Sequence, residues 1–245
     1  MRSCVGWLLA FVATVAVAAS QPAPGQADGA VVLEKFLTTD RPLTSYKALR
    51  RLSVRARGGK MEATLVAESS LDPERGFQYR VIEEEGSGFL RSKVLHPVLE
   101  AERQARLRAN GSHGALSEVN YRFTPGELTS DGLLRVAIKA KRKDELLMDG
   151  SILLTCGDAD LLRMEGLLVK RPSFWTRKVH IVRDYIRIAG ARVPIATGST
   201  ADILFAGQST FSMAYEYEMI NGAPVSAADL ESARRAVMAP ELAER

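Results

Sequence analysis

From Leu133 to Met219, apolar and polar residues alternate in short runs separated by turn sequences, the period-two pattern of strands that bury one face. The last run is the clearest. Phe211, Met213, Tyr215, Tyr217 and Met219 share one parity, and Thr210, Ser212, Glu216 and Glu218 share the other. Before it, strands are predicted at Val119–Phe123, Leu134–Ile138, Ser151–Cys156 and Leu162–Leu168, with turns at Pro125-Gly126, Asp149-Gly150 and Gly157-Asp158-Ala159-Asp160. Two longer strands, Arg177–Ile188 and Val193–Phe205, meet at Ala189-Gly190. In the first of them apolar parity moves from Val179 and Ile181 to Ile186 and Ile188, which predicts a bulge at Val182–Asp184. Upstream, the same period predicts strands at Tyr46–Arg57, Met61–Ser69 and Phe77–Glu84, broken at Gly58-Gly59 and Asp72-Pro73-Glu74-Arg75-Gly76.

The period changes to that of a helix in two places. Val32, Leu33, Phe36 and Leu37 predict a short helix over Val31–Leu37 that covers one end of the sheet. A longer segment, Gly88–Asn110, carries Val94, Leu95, Val98, Leu99 and Ala105 on one stripe and Glu100, Arg103, Arg106 and Arg108 on the other. Pro97 falls inside it, so a kink or two abutting helices is expected at His96-Pro97. Asn110-Gly111 ends the segment; Asn110-Gly111-Ser112 also fits a glycosylation acceptor, but a helix stop accounts for the same residues.

About ten strands joined by short turns imply antiparallel neighbours, since parallel pairing needs long crossovers. A meander of that size curls, and the concave apolar surface it encloses is plugged or lidded by the helix. The fold class is therefore mainly β (α+β), one sheet in a single domain over residues 30–222, with a flexible leader at 19–29. Residues 223–245 form a tail or short helix.

The N-terminus adds compartment. Arg2, the apolar run Val5–Val17 and the small-x-small sequence Ala16-Val17-Ala18 read as a secretion signal at residues 1–18. Its roughly 14 apolar residues fall short of the ~20 that span a bilayer, and an uncleaved anchor is the alternative reading. Cys4 stands too early to be a lipidated cysteine. Cleavage leaves Cys156 alone, so no intramolecular disulfide is expected, and its parity with Ile152 and Leu154 predicts a small buried residue. A net charge of +4 with both signs interspersed argues against a nucleic-acid surface. The one dense basic run, Lys139, Lys141, Arg142 and Lys143, is followed by Asp144 and Glu145 and reads as a solvated strand end.

Reaction chemistry is hard to find. His96, His113 and His180 show no metal-ligand or hydrolase spacing, and His180 and Asp184 lie about 13 Å apart along one strand. There is no G-x-S-x-G elbow, phosphate-binding glycine loop or paired-cysteine zinc pattern. Asp158-Ala159-Asp160 reads as turn chemistry, and Glu83-Glu84-Glu85 as a strand end. No catalytic residue, metal ligand or cofactor is assigned.

The series Lys141-Arg142-Lys143-Asp144, Asp149-Gly150, Asp158-Ala159-Asp160-Leu161, Arg163-Met164-Glu165-Gly166, Lys170-Arg171-Pro172-Ser173-Phe174-Trp175 and the closing Tyr215-Glu216-Tyr217 resembles the exported bacterial proteins described as outer-membrane lipoprotein-sorting-like, the LolA-like family. The resemblance covers Leu43 to Gly222. It implies an unclosed, strongly curved antiparallel half-barrel with helices over the concave face, in the periplasm. It also implies a carrier or chaperone that shelters a lipid, an acyl chain or a lipoprotein. No single arginine here matches the family's functional arginine. The residues placed at the mouth of such a hollow are Phe174 and Trp175, after Pro172, and Phe89 and Leu90, after the glycine-rich Gly86-Ser87-Gly88. The protein is expected to act as a monomer. The alternative function is a non-catalytic structural subunit that docks another envelope protein.

Overall fold

A computed structural model of the chain describes residues 24–39, 41–109, 114–170, 176–203 and 207–231. The predicted secretion signal lies outside them, as do His113 and the residues of the Asn110-Gly111-Ser112 sequence. Eleven strands form one antiparallel sheet: β1 (Tyr46–Ala56), β2 (Met61–Asp72), β3 (Gly76–Gly86), β4 (Tyr121–Leu128), β5 (Leu133–Ala140), β6 (Met148–Thr155), β7 (Leu161–Leu168), β8 (Thr176–Ile188), β9 (Ala191–Ile203), β10 (Gly207–Ile220) and the two-residue β11 (Ala223–Pro224). Their spatial order is β3-β2-β1-β10-β9-β8-β7-β6-β5-β4, so β3 and β4 are the edges among the described residues and the sheet does not close. Among the described strands, only the β1–β10 neighbourhood joins strands far apart in sequence. Every other long pairing is a hairpin or short connection, as the spacing of turn residues predicts.

Two helical units cover one face. α1 (Pro24–Thr38) packs on β4 and β5 and buries Val32, Leu33 and Phe36 against Leu134, Val136, Ile152, Leu154 and Leu161. It begins at Pro24, well before the apolar period that predicts it. The second unit is a covering segment made of a single turn α2 (Gly88–Leu90), a π-turn (Arg91–Leu95) and α3 (His96–Ala109). Leu90, Leu95 and Leu99 of this segment join Leu52, Val54, Leu65, Ala67 and Phe77 in a second core cluster. The predicted break at His96-Pro97 takes the form of the π-turn. Pro97 cannot donate a backbone hydrogen bond, and widening the preceding turn lets the chain continue with Pro97 in the first turn of α3.

Register shows that both clusters lie on the same face. Met164 pairs with Arg183, Arg183 with Thr197, Thr197 with Met213, Met213 with Leu52, and Leu52 with Leu65, and directly paired residues project to one side. That inner face therefore runs unbroken from β7 to β2 beneath the helices. Most strand positions follow the sequence, and the bulge predicted at Val182–Asp184 appears as a register shift between Asp184 and Tyr185. The turns predicted at Pro125-Gly126 and Asp149-Gly150 instead lie inside β4 and β6, the first as an irregularity in the β4–β5 ladder and the second where Gly150 allows close approach to β7. Cys156 does not follow. It stands one residue beyond β6, in the turn, exposed, with its thiol donating to the Gly132 carbonyl at 3.0 Å. The strand's parity ends at Thr155, because Ala159 at φ 56° donates back to the Thr155 carbonyl and closes the turn there.

Two close approaches fix the backbone. Gly86 ends β3 at φ 78°, and a Cβ there would meet the Glu62 carbonyl oxygen at 2.4 Å. Gly150 and Gly166 pair across β6 and β7 so tightly that a Cβ on Gly166 would lie 2.3 Å from the Asp149 oxygen.

Candidate functional site

Along β1 the inner positions are Tyr46, Ala48, Arg50, Leu52, Val54 and Ala56, so one charge interrupts an otherwise apolar stripe. Arg50 is 1% exposed. Its partner comes from α3, where Glu102 continues the stripe of Leu95 and Leu99 that faces the sheet. The contact is bidentate: Nη1 donates to Glu102 Oε2 at 2.6 Å and Nη2 to Oε1 at 3.1 Å, while Nη2 also donates to the Tyr46 hydroxyl at 2.5 Å. The guanidinium sits over the Phe77 and Tyr215 rings, 4.8 and 4.9 Å from their centres. Its Nε is buried without a partner.

Burial on its own would drive Arg50 toward its neutral form, but the Glu102 carboxylate outweighs it and raises the pKa above the ordinary arginine value. Glu102 shows the converse: burial pushes it up, and the Arg50 charge and hydrogen bonds hold it below the usual glutamate range. Both groups are charged. Such a pair adds little net stability over an apolar pair of equal volume, yet removing one partner typically costs about 3–5 kcal/mol. It is a costly contact to break and an undemanding one to exchange for another carboxylate.

A second arginine lies on the same face. Arg183, three strands away on β8, has a buried Nε without a partner, and its Nη1 reaches only the Tyr185 hydroxyl, at 3.5 Å. The Tyr185 hydroxyl, despite opposing burial, and the more distant Tyr215 and Glu102 raise its pKa. Beside it Thr197 is buried, near Tyr215 but without a hydrogen bond of ordinary geometry. Tyr46, Tyr215 and Tyr217 are all held neutral by burial. The centre of the inner face is thus a polar island of two guanidiniums, one carboxylate and several phenols, with aliphatic side chains on both flanks.

The covering segment is fastened at its start as well. Glu84 at the end of β3 accepts from Arg91 at 2.8 Å and lies 2.8 Å from His96 Nε2, and Ser87 caps α2. On its outer side a cleft of about 840 Å³ opens between α3 and the β5–β6 loop, within the roughly 300–1,000 Å³ range of small-molecule sites. Tyr79, Pro97, Ala101 and Leu146 supply its apolar wall, and Glu100, Lys143 and Lys170 its polar one. Beneath the segment, Leu90, Leu95 and Leu99 fill the space over the sheet, so the concavity expected from the sequence is occupied by the protein's own side chains.

Of the four residues expected at the mouth, Phe174 and Trp175 lie outside the described residues. Leu90 is 4% exposed and belongs to the core under the covering segment, whereas its neighbour Phe89 is 63% exposed. The structure does not bring these two to one point. Sequence reading missed Arg50, Glu102 and Arg183. The signal was present: each is a charged residue at an inward position of a strand or helix stripe, where burial demands a partner.

The charged groups singled out in the sequence are engaged elsewhere. Lys139 pairs with Asp149 at 2.6 Å, Lys141 donates to the Glu118 carbonyl, and Arg142 to the Asn120 side chain. Asp160 accepts from Arg187, and Asp158 lies 3.8 Å from Lys35, which places both acids in turn and ion-pair roles. His180 is exposed on β8. No helix among the described residues is long and apolar enough to cross a membrane.

An unclosed antiparallel sheet with helices laid over one face is the class of architecture these features define. Among solved structures, the chain is similar to a LolA superfamily protein of Nitrosomonas europaea, at 12% identity and a TM-score of 0.35 over 77% of this chain and 91% of that one. It is also similar to a DUF1329 family protein of Desulfovibrio piger, at 12% identity and a TM-score of 0.36 over 79% and 91%. No protein-family model and no curated protein matches the sequence.

Proposed function

We propose that the protein is an exported carrier that shelters an acyl chain or lipid on the inner face of its sheet, with the covering segment Gly88–Ala109 as a lid. The observation that carries this reading is the composition of the contact beneath that segment. Three leucines, at 90, 95 and 99, rest on an apolar floor, and the polar fastening at the centre is a single carboxylate–guanidinium pair. When the segment lifts about Gly86-Ser87-Gly88, an acyl chain takes the place of the leucines. Its exclusion from water contributes roughly 25 cal/mol per Å² of apolar surface covered, and lifting the lid subtracts from that. Phe89, Phe174 and Trp175 are assigned to the rim that such a chain passes.

Native mass spectrometry and lipid extraction of protein purified from its own compartment test this. A co-purifying acyl lipid is expected; lipid-free protein that also binds no acyl chain in vitro contradicts it. For the rim, Trp175→Ala is expected to lower acyl-chain affinity, and unchanged affinity removes that assignment. The filled inner face favours a second reading, a structural subunit that docks an envelope protein, and a stoichiometric protein partner in the same mass spectra would support it.

A further inference from the structure

The geometry points to a monoanionic head group on the ligand, bound at Arg50 and Arg183, with Glu102 holding that place while the lid is shut. This rests on the carrier reading above and names its ligand class. Three observations lead to it.

First, Arg50 already grips a carboxylate through two parallel contacts of 2.6 and 3.1 Å, the fork geometry by which a guanidinium recognises a free acid. Second, that carboxylate belongs to the part that must move. Lifting α3 withdraws Glu102 and leaves Arg50, which is buried on the sheet between Phe77 and Tyr215, without its counter-charge. A neutral lipid sliding under the lid does nothing for that charge, whereas an anionic one restores it. Third, the sheet side of the island carries two guanidiniums, Arg50 and Arg183, whereas Glu102 and the Arg106 charge that acts on it both belong to α3 and move with the lid. Arg183 makes no ion pair with a described residue, and its buried Nε has no acceptor. Lifting the lid therefore leaves both sheet guanidiniums without the carboxylate that faces them.

One added negative charge on the ligand, with Glu102 displaced to solvent, leaves two guanidiniums around one anion. A dianionic head is not needed for this. Apolar side chains border the site, Met164 toward β7, Leu65 toward β2, and Met213 and Leu52 on β10 and β1 beside the arginines. A tail laid along either flank keeps its head on the arginines. The head can be the carboxylate of a free acid or the phosphodiester of a phospholipid, since each carries one charge.

The test is the affinity of the full mature, delipidated chain for ligands with one tail and different heads. Palmitic acid, 1-palmitoyl-lysophosphatidylglycerol and neutral 1-palmitoylglycerol are titrated by calorimetry. At least one of the two anions is expected to bind ten-fold or more tighter than the neutral ester, and the tighter of the two identifies the source of the head. Glu102→Gln is expected to raise anion affinity several-fold, because the internal competitor is gone. Arg50→Met and Arg183→Met are each expected to bring the ratio of anion to neutral-ester affinity close to one, and two variants are used so that poor folding of one leaves the other as the test. Equal affinity for charged and neutral ligands overturns the head-group inference and leaves the carrier standing. Failure of all three ligands to bind removes the carrier, and the inference with it.

Discussion

Arg50 and Glu102 form the contact on which the closed molecule turns, and their energetics are asymmetric. Glu102→Gln leaves a guanidinium with a 2% exposed side chain facing a neutral amide, and is expected to cost about 3–5 kcal/mol in urea unfolding. Arg50→Met leaves Glu102, whose side chain is 26% exposed and can turn to water, so a smaller loss is expected. The double change Arg50→Met with Glu102→Leu is expected to recover most of the stability, because neither charge remains to be satisfied. The depressed pKa of Glu102 fixes the pH dependence. A carboxyl held below its unfolded value stabilises the fold above the ordinary glutamate range, and that contribution is lost as pH falls through the lowered value. The stability difference between the wild type and Glu102→Gln is therefore expected at neutral pH and to shrink in acid. A difference independent of pH would show that the pair is not ionic.

Among the elements, the strands were legible because one face of each is buried and period-two alternation records it. β1, β2 and β10 fall within a few residues of their predicted ends, and the parity change in β8 marked its bulge to within a residue. The Gly88–Asn110 helix was legible as a stripe, but its π-turn was not, since nothing in the pattern of Val94, Leu95, Val98 and Leu99 distinguishes a widened turn from a kink at Pro97. The candidate site was less readable than the fold. Alternation locates buried positions but does not say which distant strand or helix supplies the partner, so the pairing of Arg50 with Glu102 had to come from three dimensions. Where the covering segment joins β3, Gly86→Ala would place a methyl group against the Glu62 carbonyl at a positive φ, and is expected to destabilise the fold by about 1–3 kcal/mol. Gly58→Ala, also at positive φ but with open space around it, is the control for steric contact and should cost less in the same thermal scan.

Across the described residues the molecule is an unclosed sheet whose inner face is covered by two helical units, one seated on β4–β5 and one across β1–β3. α1 buries its apolar residues in an apolar cluster, with the Arg192 guanidinium over the Phe36 ring, whereas the second unit is held at its centre by the Arg50–Glu102 ion pair. Opening is therefore assigned to the second, because its central contact can be exchanged for a ligand's while that of α1 cannot. Amide hydrogen exchange, followed by mass spectrometry with and without saturating palmitoyl ligand, reads this directly. Amides of His96–Ala109 are expected to lose protection when ligand binds, while those of α1 and of β1, β2 and β10 stay as slow as before or become slower. Unchanged or increased protection of α3 at saturation would contradict a lid that lifts to admit its cargo.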